Sequence, residues 1–338
     1  MKNDNTPEPA LKPPGSYLSS LSDFAELLGV IESAEHAANE LLEETGGALH
    51  DAAPKTKAEQ SPEKPDLSAL LCQLDALIGL RNIKSSVRSL INLVKVRKLR
   101  EENGLVVPPV SLHMVFTGNP GTGKTTVARI LSSLFCAIGV LSKGQLVEVD
   151  RSGLVAGYVG QTALKTSGVI QSALGGILFI DEAYALVSKD GVNDFGHEAI
   201  ETLLKAMEDH RDDFIVIVAG YDAPMTAFIA SNPGLQSRFN RYFAFDDYTS
   251  DELSSIFKSL CEQNEYVMTD DAAAFASTYF DALYTRRDEH FGNARDVRNF
   301  FENAVTVHSD RVSCFEQPSR DVLMLLTRED LEKAATMT

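Results

Sequence analysis

The sequence predicts an α/β protein: a parallel, doubly wound sheet domain followed by a smaller helical domain, with a helical extension ahead of both. Three observations predict it. Five short apolar runs, over residues 112–116, 146–149, 177–180, 214–219 and 242–245, alternate with stretches of helical texture. Strands spaced by helices imply parallel pairing, because a crossover between parallel strands needs a long connection. Past Asp247 the apolar runs stop and helical patterns alone remain. The first 66 residues carry a single helical stretch between Pro-containing segments.

From the amino terminus, residues 1–16 are polar and carry Pro7, Pro9, Pro13 and Pro14, a composition that predicts disorder. A helix is expected over 21–45. Ser20 with Asp23 makes a capping start, Phe24, Leu27, Leu28, Ile31, Ala34, Ala38, Leu41 and Leu42 share one face, and Gly46-Gly47 ends it. Its other face is rich in Glu (Glu26, Glu32, Glu35, Glu40, Glu43, Glu44). One helix cannot bury that stripe alone, so it is expected to dock on the body or on another protein. Residues 52–66, with Pro54, Pro62 and Pro65, read as a linker.

Over 81–100, Arg81, Lys84, Arg88, Lys95, Arg97, Lys98 and Arg100 are interleaved with Val87, Leu90, Ile91, Val94 and Leu99. That spacing predicts a helix whose charges form a solvated face, in preference to a nucleic-acid patch. Between the apolar runs, helices are expected over 125–138, 163–174, 197–209 and 223–230. Beyond Asp247 they are expected over 250–262, 270–285, 293–309 and 327–336, the last opened by Thr327-Arg328-Glu329-Asp330 as a capping box. The expected boundaries are an extension over 1–66, an α/β domain over 67–247 and a smaller helical domain over 248–338.

Composition narrows the function. The 338 residues exceed one ordinary core, and 44% hydrophobic with 23% charged residues is the balance of a soluble globular protein. No apolar run approaches the roughly 18 residues of a membrane span, and no apolar segment of a secretory signal follows Met1-Lys2. Cys72, Cys136, Cys261 and Cys314 are far apart with no CxxC pair, which reads as reduced thiols in a cytoplasmic protein. A net charge of −17 argues against a nucleic-acid partner, because phosphate neutralisation needs clustered Lys and Arg.

Two motifs carry chemistry. Gly118-Asn119-Pro120-Gly121-Thr122-Gly123-Lys124-Thr125, with Thr126 behind it, fits the phosphate-binding pattern G-x-x-x-x-G-K-[ST] between a predicted strand and a predicted helix. Its glycines let backbone N–H groups turn inward around phosphate oxygens, Lys124 reaches the β/γ-phosphates and Thr125 holds Mg²⁺. The second motif, Gly176-Ile177-Leu178-Phe179-Ile180-Asp181-Glu182-Ala183, is an apolar strand ending in two acids. Ligands bind at the carboxyl ends of such strands, so Asp181 is expected to contact Mg²⁺ through water and Glu182 to polarise the attacking water.

Together these features resemble the AAA+ superfamily, most closely the CbbX/CfxQ group of red-type Rubisco activases, which shares motifs with the SpoVK and EccA ATPases. The likeness covers roughly residues 74–331 and rests on the two motifs above, on Ala219-Gly220-Tyr221, on residues 231–239 around Ser237-Arg238-Phe239, and on Gly292-Asn293-Ala294-Arg295-Asp296-Val297-Arg298-Asn299. It implies an ATPase with ATP and Mg²⁺ as ligands, an AAA+ α/β domain with a helical lid, and a homo-oligomeric ring, a hexamer. It further implies that Asp75–Leu80, with Ile78 and Gly79, packs on adenine; without the family the same residues read equally as a plain helix start. Arg238 takes the place of an arginine finger reaching a neighbour's γ-phosphate, the alternative being a surface ion pair. Arg241 stands either as an accessory finger or as a structural residue. Arg295 takes the place of a lid arginine contacting phosphate in its own subunit. Tyr221 stands where many AAA+ proteins carry a water-positioning Asn.

The resemblance also implies that Tyr158 and Val159, in the glycine-flanked loop 153–162, line a central pore and grip an extended client polypeptide. Alone, that loop reads as an ordinary connection. Residues 188–195 are a candidate second pore loop. The expected function is therefore a protein-remodelling motor, red-type Rubisco being one candidate client, and the alternative is an ATP-switched assembly scaffold or a sporulation- or secretion-type ATPase that does not thread.

Overall fold

The computed structural model describes residues 66–158, 160–187, 195–288 and 291–337. Two units divide the chain, Met1–Ser61 and Pro62–Thr338, and every described residue belongs to the second. The predicted helix over 21–45, Val159 and residues 188–194 lie outside the described residues.

Two helices lead into the sheet, α1 (Leu67–Ala76) and α2 (Arg81–Glu102). Asp66, read from sequence as the end of a linker, caps α1 by accepting the Ser68 N–H at 2.9 Å. On α2, Ile83, Val87, Leu90, Ile91 and Val94 are buried between the charges, as the spacing predicts. Leu99 departs from that expectation and is 57% exposed. Five residues beyond Val94, it has rotated well away from the buried face.

The sheet is parallel throughout, in the order β2 (Leu146–Val149), β3 (Ile177–Ile180), β4 (Ile215–Gly220), β1 (Met114–Thr117), β5 (Arg241–Ala244). Strand side chains alternate between faces, and the core divides accordingly. Met114, Phe116, Ile177, Phe179, Ile215 and Ile217 pack with α1, α2 and α3 (Lys124–Ala137). Val115, Leu178, Ile180, Val216 and Val218 pack on the other face with the helices that follow β2, β3 and β4. These are α4 (Arg151–Leu154), α5 (Thr162–Ala173), α6 (Gly196–Asp209), α7 (Asp222–Ala230) and α8 (Pro233–Arg238). Both faces are covered, which is why the central strands read as unbroken apolar runs.

The lid comprises α9 (Ser250–Gln263), α10 (Asp270–Thr285), α11 (Ala294–Val312), α12 (Arg320–Met324) and α13 (Arg328–Ala335). Its core is aromatic: Phe257 lies 5.6 Å from Phe280 and 5.2 Å from Phe300, and Tyr279 stacks on Phe300 at 4.2 Å. The Thr327 capping box forms as expected, and its acid does a second job. Asp330, 1% exposed, receives Arg311 Nε and Nη2 at 2.8 Å each. One expectation fails here. Strands do not cease after Asp247, because β6 (Val267–Met268) and β7 (Leu325–Leu326) form a two-stranded parallel ladder inside the lid. Two residues per strand are too few to show a period in sequence.

Candidate functional site

The carboxyl ends of three neighbouring strands, β3, β4 and β1, open into a cavity of about 560 Å³ roofed by the lid. Ligands of open parallel sheets bind at this edge. The loop after β1 is the phosphate-binding motif, and α3 begins at its Lys124. The loop passes against the lid, backbone to backbone. A Cβ on Gly121, whose φ is +69°, would lie 2.1 Å from Gly292 O and 2.8 Å from Arg295 N, so no other residue fits without displacement.

Lys124 Nζ donates to Gly118 O and Asn119 O at 2.8 Å each, folding back over the loop it belongs to. Its pKa is lowered, first by burial and also by Arg295, while Asp181, Asp222 and Asp247 pull the other way. Lysine, arginine and the α3 amino terminus therefore aim positive charge into one space, an arrangement suited to a polyphosphate. Opposite the loop, Asp181 Oδ1 accepts the N–H of Glu182 at 3.0 Å. Glu182 is exposed and holds a left-handed backbone, φ 47° and ψ 43°, unusual for a residue with a side chain. Thr125 Oγ1 lies 3.5 Å from Glu148 Oε1. Thr125 and Asp181 line the same cavity and offer hard oxygen donors, the donor chemistry that suits Mg²⁺ beside a triphosphate. Among the described residues no group of three or more His, Cys, Asp or Glu forms a stand-alone metal site.

Of the residues singled out from sequence, Ile78, Pro120, Gly121, Gly123, Lys124, Thr125, Thr126, Asp181, Glu182, Tyr221 and Arg295 line this cavity. Gly79, Asn119 and Thr122 do not. Gly79 turns the chain between α1 and α2 at φ +64°, where a Cβ would meet Glu252. The Asn119 side chain bonds Asp247, and Thr122, fully buried, donates to Asn119 O at 2.8 Å. Tyr221 immediately precedes α7, with its ring 6.2 Å from that of Tyr184, whose phenol is pushed up to about 12 by burial and by Glu182.

On the lid side of the cavity, sequence reasoning named Arg295 but not Tyr248, Ile256, Leu260 or Arg298. Leu77 and Leu80 on one side and Tyr248, Ile256 and Leu260 on the other make its apolar end, and Arg298 joins Arg295 at the polar end. Tyr248 is buried, which pushes its phenol up to about 12 and keeps it neutral. Arg298 was within reach of the sequence, since it stands three residues after Arg295 on one helical face. Tyr248 lies in an irregular segment and gives no pattern.

Arg238 stands elsewhere. It lines a separate cavity of about 610 Å³ with Arg97 and His113, and no residue lines both spaces. Its Nη2 is 3.4 Å from Glu208 Oε2, so the ion pair named as the alternative is present, while its buried Nε has no hydrogen-bond partner. Arg241 donates from Nε to Ser111 O at 3.0 Å, and burial followed by Arg97 lowers its pKa. Tyr158 is 74% exposed. A Cβ on Gly157 or Gly160 beside it would meet nothing within 4 Å. Among the described residues no helix is long and apolar enough to cross a membrane.

Comparison with known proteins gives two family matches: the AAA family, ATPases associated with various cellular activities, over residues 114–247, and the AAA lid domain over 249–338. Stage V sporulation protein K of Bacillus subtilis is 42% identical over 260 residues, covering 77% of this chain and 80% of that protein. The chloroplastic ribulose bisphosphate carboxylase/oxygenase activase of Cyanidioschyzon merolae is 42% identical over 278 residues, or 80% of this chain and 93% of that protein. Protein CbbX of Cereibacter sphaeroides is 42% identical over 267 residues, 76% and 86% of the two chains. Among solved structures, the FIGL-1 AAA domain in complex with ADP matches with a TM-score of 0.53 at 18% identity, covering 78% of this chain and 82% of that one, a likeness of fold.

Proposed function

Because the chain belongs to the CbbX/CfxQ group of AAA ATPases and is an ATP-hydrolysing enzyme, we propose that it is a ring-forming motor that remodels a client protein. In this reading residues 67–247 are the motor domain, 248–338 the lid, and 1–66 an extension that recruits the client. ATP binds with its base among Ile78, Leu80 and Tyr248 and its phosphates along Gly118–Thr126, next to Lys124. Thr125 and Asp181 would hold Mg²⁺, which supplies charge neutralisation between the β- and γ-phosphates. Glu182 accepts a proton from the attacking water as the bond from the γ-phosphorus to the bridging oxygen breaks, releasing ADP and phosphate. Arg295, from the lid, balances negative charge on the phosphates of its own subunit, and Tyr221 offers its hydroxyl at the same end.

The observation that carries the ring is the place of Arg238. It lines no part of its own chain's nucleotide cavity, and its Nη2 is engaged at 3.4 Å by an exposed Glu208. In a ring, Arg238 of one copy completes the cavity of the next. Release of Glu208 would cost little, since the pair is long and Glu208 is exposed. The exposed Tyr158 supports the second half of the reading, a client gripped in the pore by an aromatic ring on a loop that glycines leave free to move. Red-type Rubisco is the first client to test, given the name of the Cyanidioschyzon merolae relative. Four free cysteines suit a reducing, cytoplasmic setting.

The test pairs two measurements on one preparation, ATP turnover and client remodelling. Tyr158→Ala should keep more than about half of native turnover, because Tyr158 is outside the phosphate-binding segments, and should lose remodelling. Tyr158→Phe should keep most of both. Full remodelling by the Ala variant would overturn the threading motor and leave an ATP-switched assembly scaffold.

A further inference from the structure

A buried polar knot ties the phosphate loop to the lid. Asn293, the residue just before α11, has no exposed surface. Its Nδ2 donates to Asp247 Oδ1 at 2.7 Å, and at longer range to Phe291 O (3.2 Å) and Pro120 O (3.3 Å). Its Oδ1 accepts the N–H of Tyr248 at 2.9 Å. An amide NH₂ has two hydrogens, so one serves Asp247 and the two carbonyls share the other. Asp247 also accepts Asn119 Nδ2, at 3.0 and 3.2 Å from its two oxygens. The next residue, Ala294, donates its N–H to Gly121 O at 3.2 Å. One side chain thus touches the phosphate loop, the segment joining the two domains, and the start of the lid helix that carries Arg295.

The backbone at Asn293 is strained, with φ 53° and ψ −126°, a conformation that glycine adopts readily and asparagine does not. Such residues persist where the surroundings over-determine them, and they cluster at functional sites. Glycine would fit this backbone at no steric cost. The chain instead keeps an asparagine whose polar side-chain atoms are all engaged, the amide nitrogen across the domain boundary with Asp247 and Pro120 and the oxygen with Tyr248. Arg295 follows two residues later, and its N–H is fixed to Gly292 O at 2.9 Å. Its distance from the phosphate loop is therefore set by the Asn293 side-chain contacts together with the Ala294 N–H bond to Gly121 O.

We propose that Asn293 is a positioning residue for ATP hydrolysis: it couples the phosphate loop to the lid, so that the loop's occupancy sets where the lid holds Arg295. The proposal rests on the assignment of Arg295 to the nucleotide phosphates made above. It predicts that losing the knot weakens the distinction between ATP and ADP, which a merely structural contact would not do.

Asn293→Gly is the direct probe, since it removes the side-chain bonds and relieves the backbone. In the full-length chain, affinities for fluorescent ATP and ADP analogues, steady-state turnover and melting temperature are measured for Asn293→Gly, Arg295→Ala and the double variant. Asn293→Gly should melt within about 5 °C of the native chain. Its kcat should fall about 10-fold or more, as expected when a catalytic group is displaced. Its preference for ATP over ADP should fall about 5-fold or more, with ADP affinity held. The double variant should be no slower than Arg295→Ala alone, because residues acting through one contact do not add. Should Asn293→Gly unfold, Asn293→Asp keeps the acceptor for Tyr248 while setting a carboxylate against Asp247, and the same pattern is expected. Near-native turnover in a folded Asn293 variant, equal weakening of ATP and ADP, or multiplying losses in the double variant would each overturn the proposal. Native turnover in Arg295→Ala is a separate result, which strikes the Arg295 assignment first.

Discussion

Lowering the pH from 7.5 to 5 should destabilise the α/β domain through His113 by more than an exposed histidine could. His113 precedes β1, is 5% exposed, and its Nδ1 accepts the Val216 N–H at 3.0 Å. Burial lowers its pKa from the ordinary 6.5 to about 4, with Arg238 adding to the effect and a hydrogen bond to the Met207 backbone opposing it. The sign follows directly. Between about pH 4 and 6.5 the unfolded chain binds a proton that the folded chain refuses, so stability rises with pH across that window and is lost on acidification. The gap corresponds to a limit of about 3 kcal/mol, of which about 2 kcal/mol is gone by pH 5. Urea unfolding of native chain and His113→Asn at pH 7.5, 6 and 5 measures it. Asparagine keeps an acceptor for Val216 but does not titrate. The variant should start less stable and show a slope shallower by about 2 kcal/mol over the range. Equal slopes would refute the assignment of this proton to His113. The effect reaches the proposed ring contact, because the His113 ring also meets Phe239, at 6.1 Å, next to Arg238.

Two further outcomes are expected. Arg238→Ala should bind ATP nearly as the native chain does yet turn over about 10³-fold or more slowly, and mixing it with Lys124→Ala subunits should restore part of the activity, since the two defects then fall in different composite sites. Mixed rings with no recovery would argue that Arg238 works within its own chain. In the lid, Arg311→Ala leaves the carboxylate of Asp330 buried without its guanidinium, and should cost about 3–5 kcal/mol in urea unfolding; a loss below about 1 kcal/mol would show that water or Thr327 replaces the partner.

What the sequence made legible was local. The phosphate loop, Asp181-Glu182 and the runs of β3 and β4 are contiguous stretches in which chemistry or double-sided burial dictates neighbouring residue types. The apolar residues on the lid side of the cavity were not legible, because Tyr248, Ile256 and Leu260 come to line one space with Ile78 only through the docking of one domain on the other. The phosphate loop itself shows a subtler limit. Its glycines and helix start bind phosphate through backbone N–H groups, so side chains at the unspecified positions of the motif are free for other work. Asn119 uses that freedom to bond Asp247, and Thr122 to brace Asn119 O from inside. Reading every motif position as a ligand contact merges two tasks that the structure keeps apart. The Asn119 side chain reaches the segment that Asn293 ties to the lid, and the Thr122 side chain stays within the loop. Variation at Asn119 should therefore alter the coupling between loop and lid more than the affinity for phosphate.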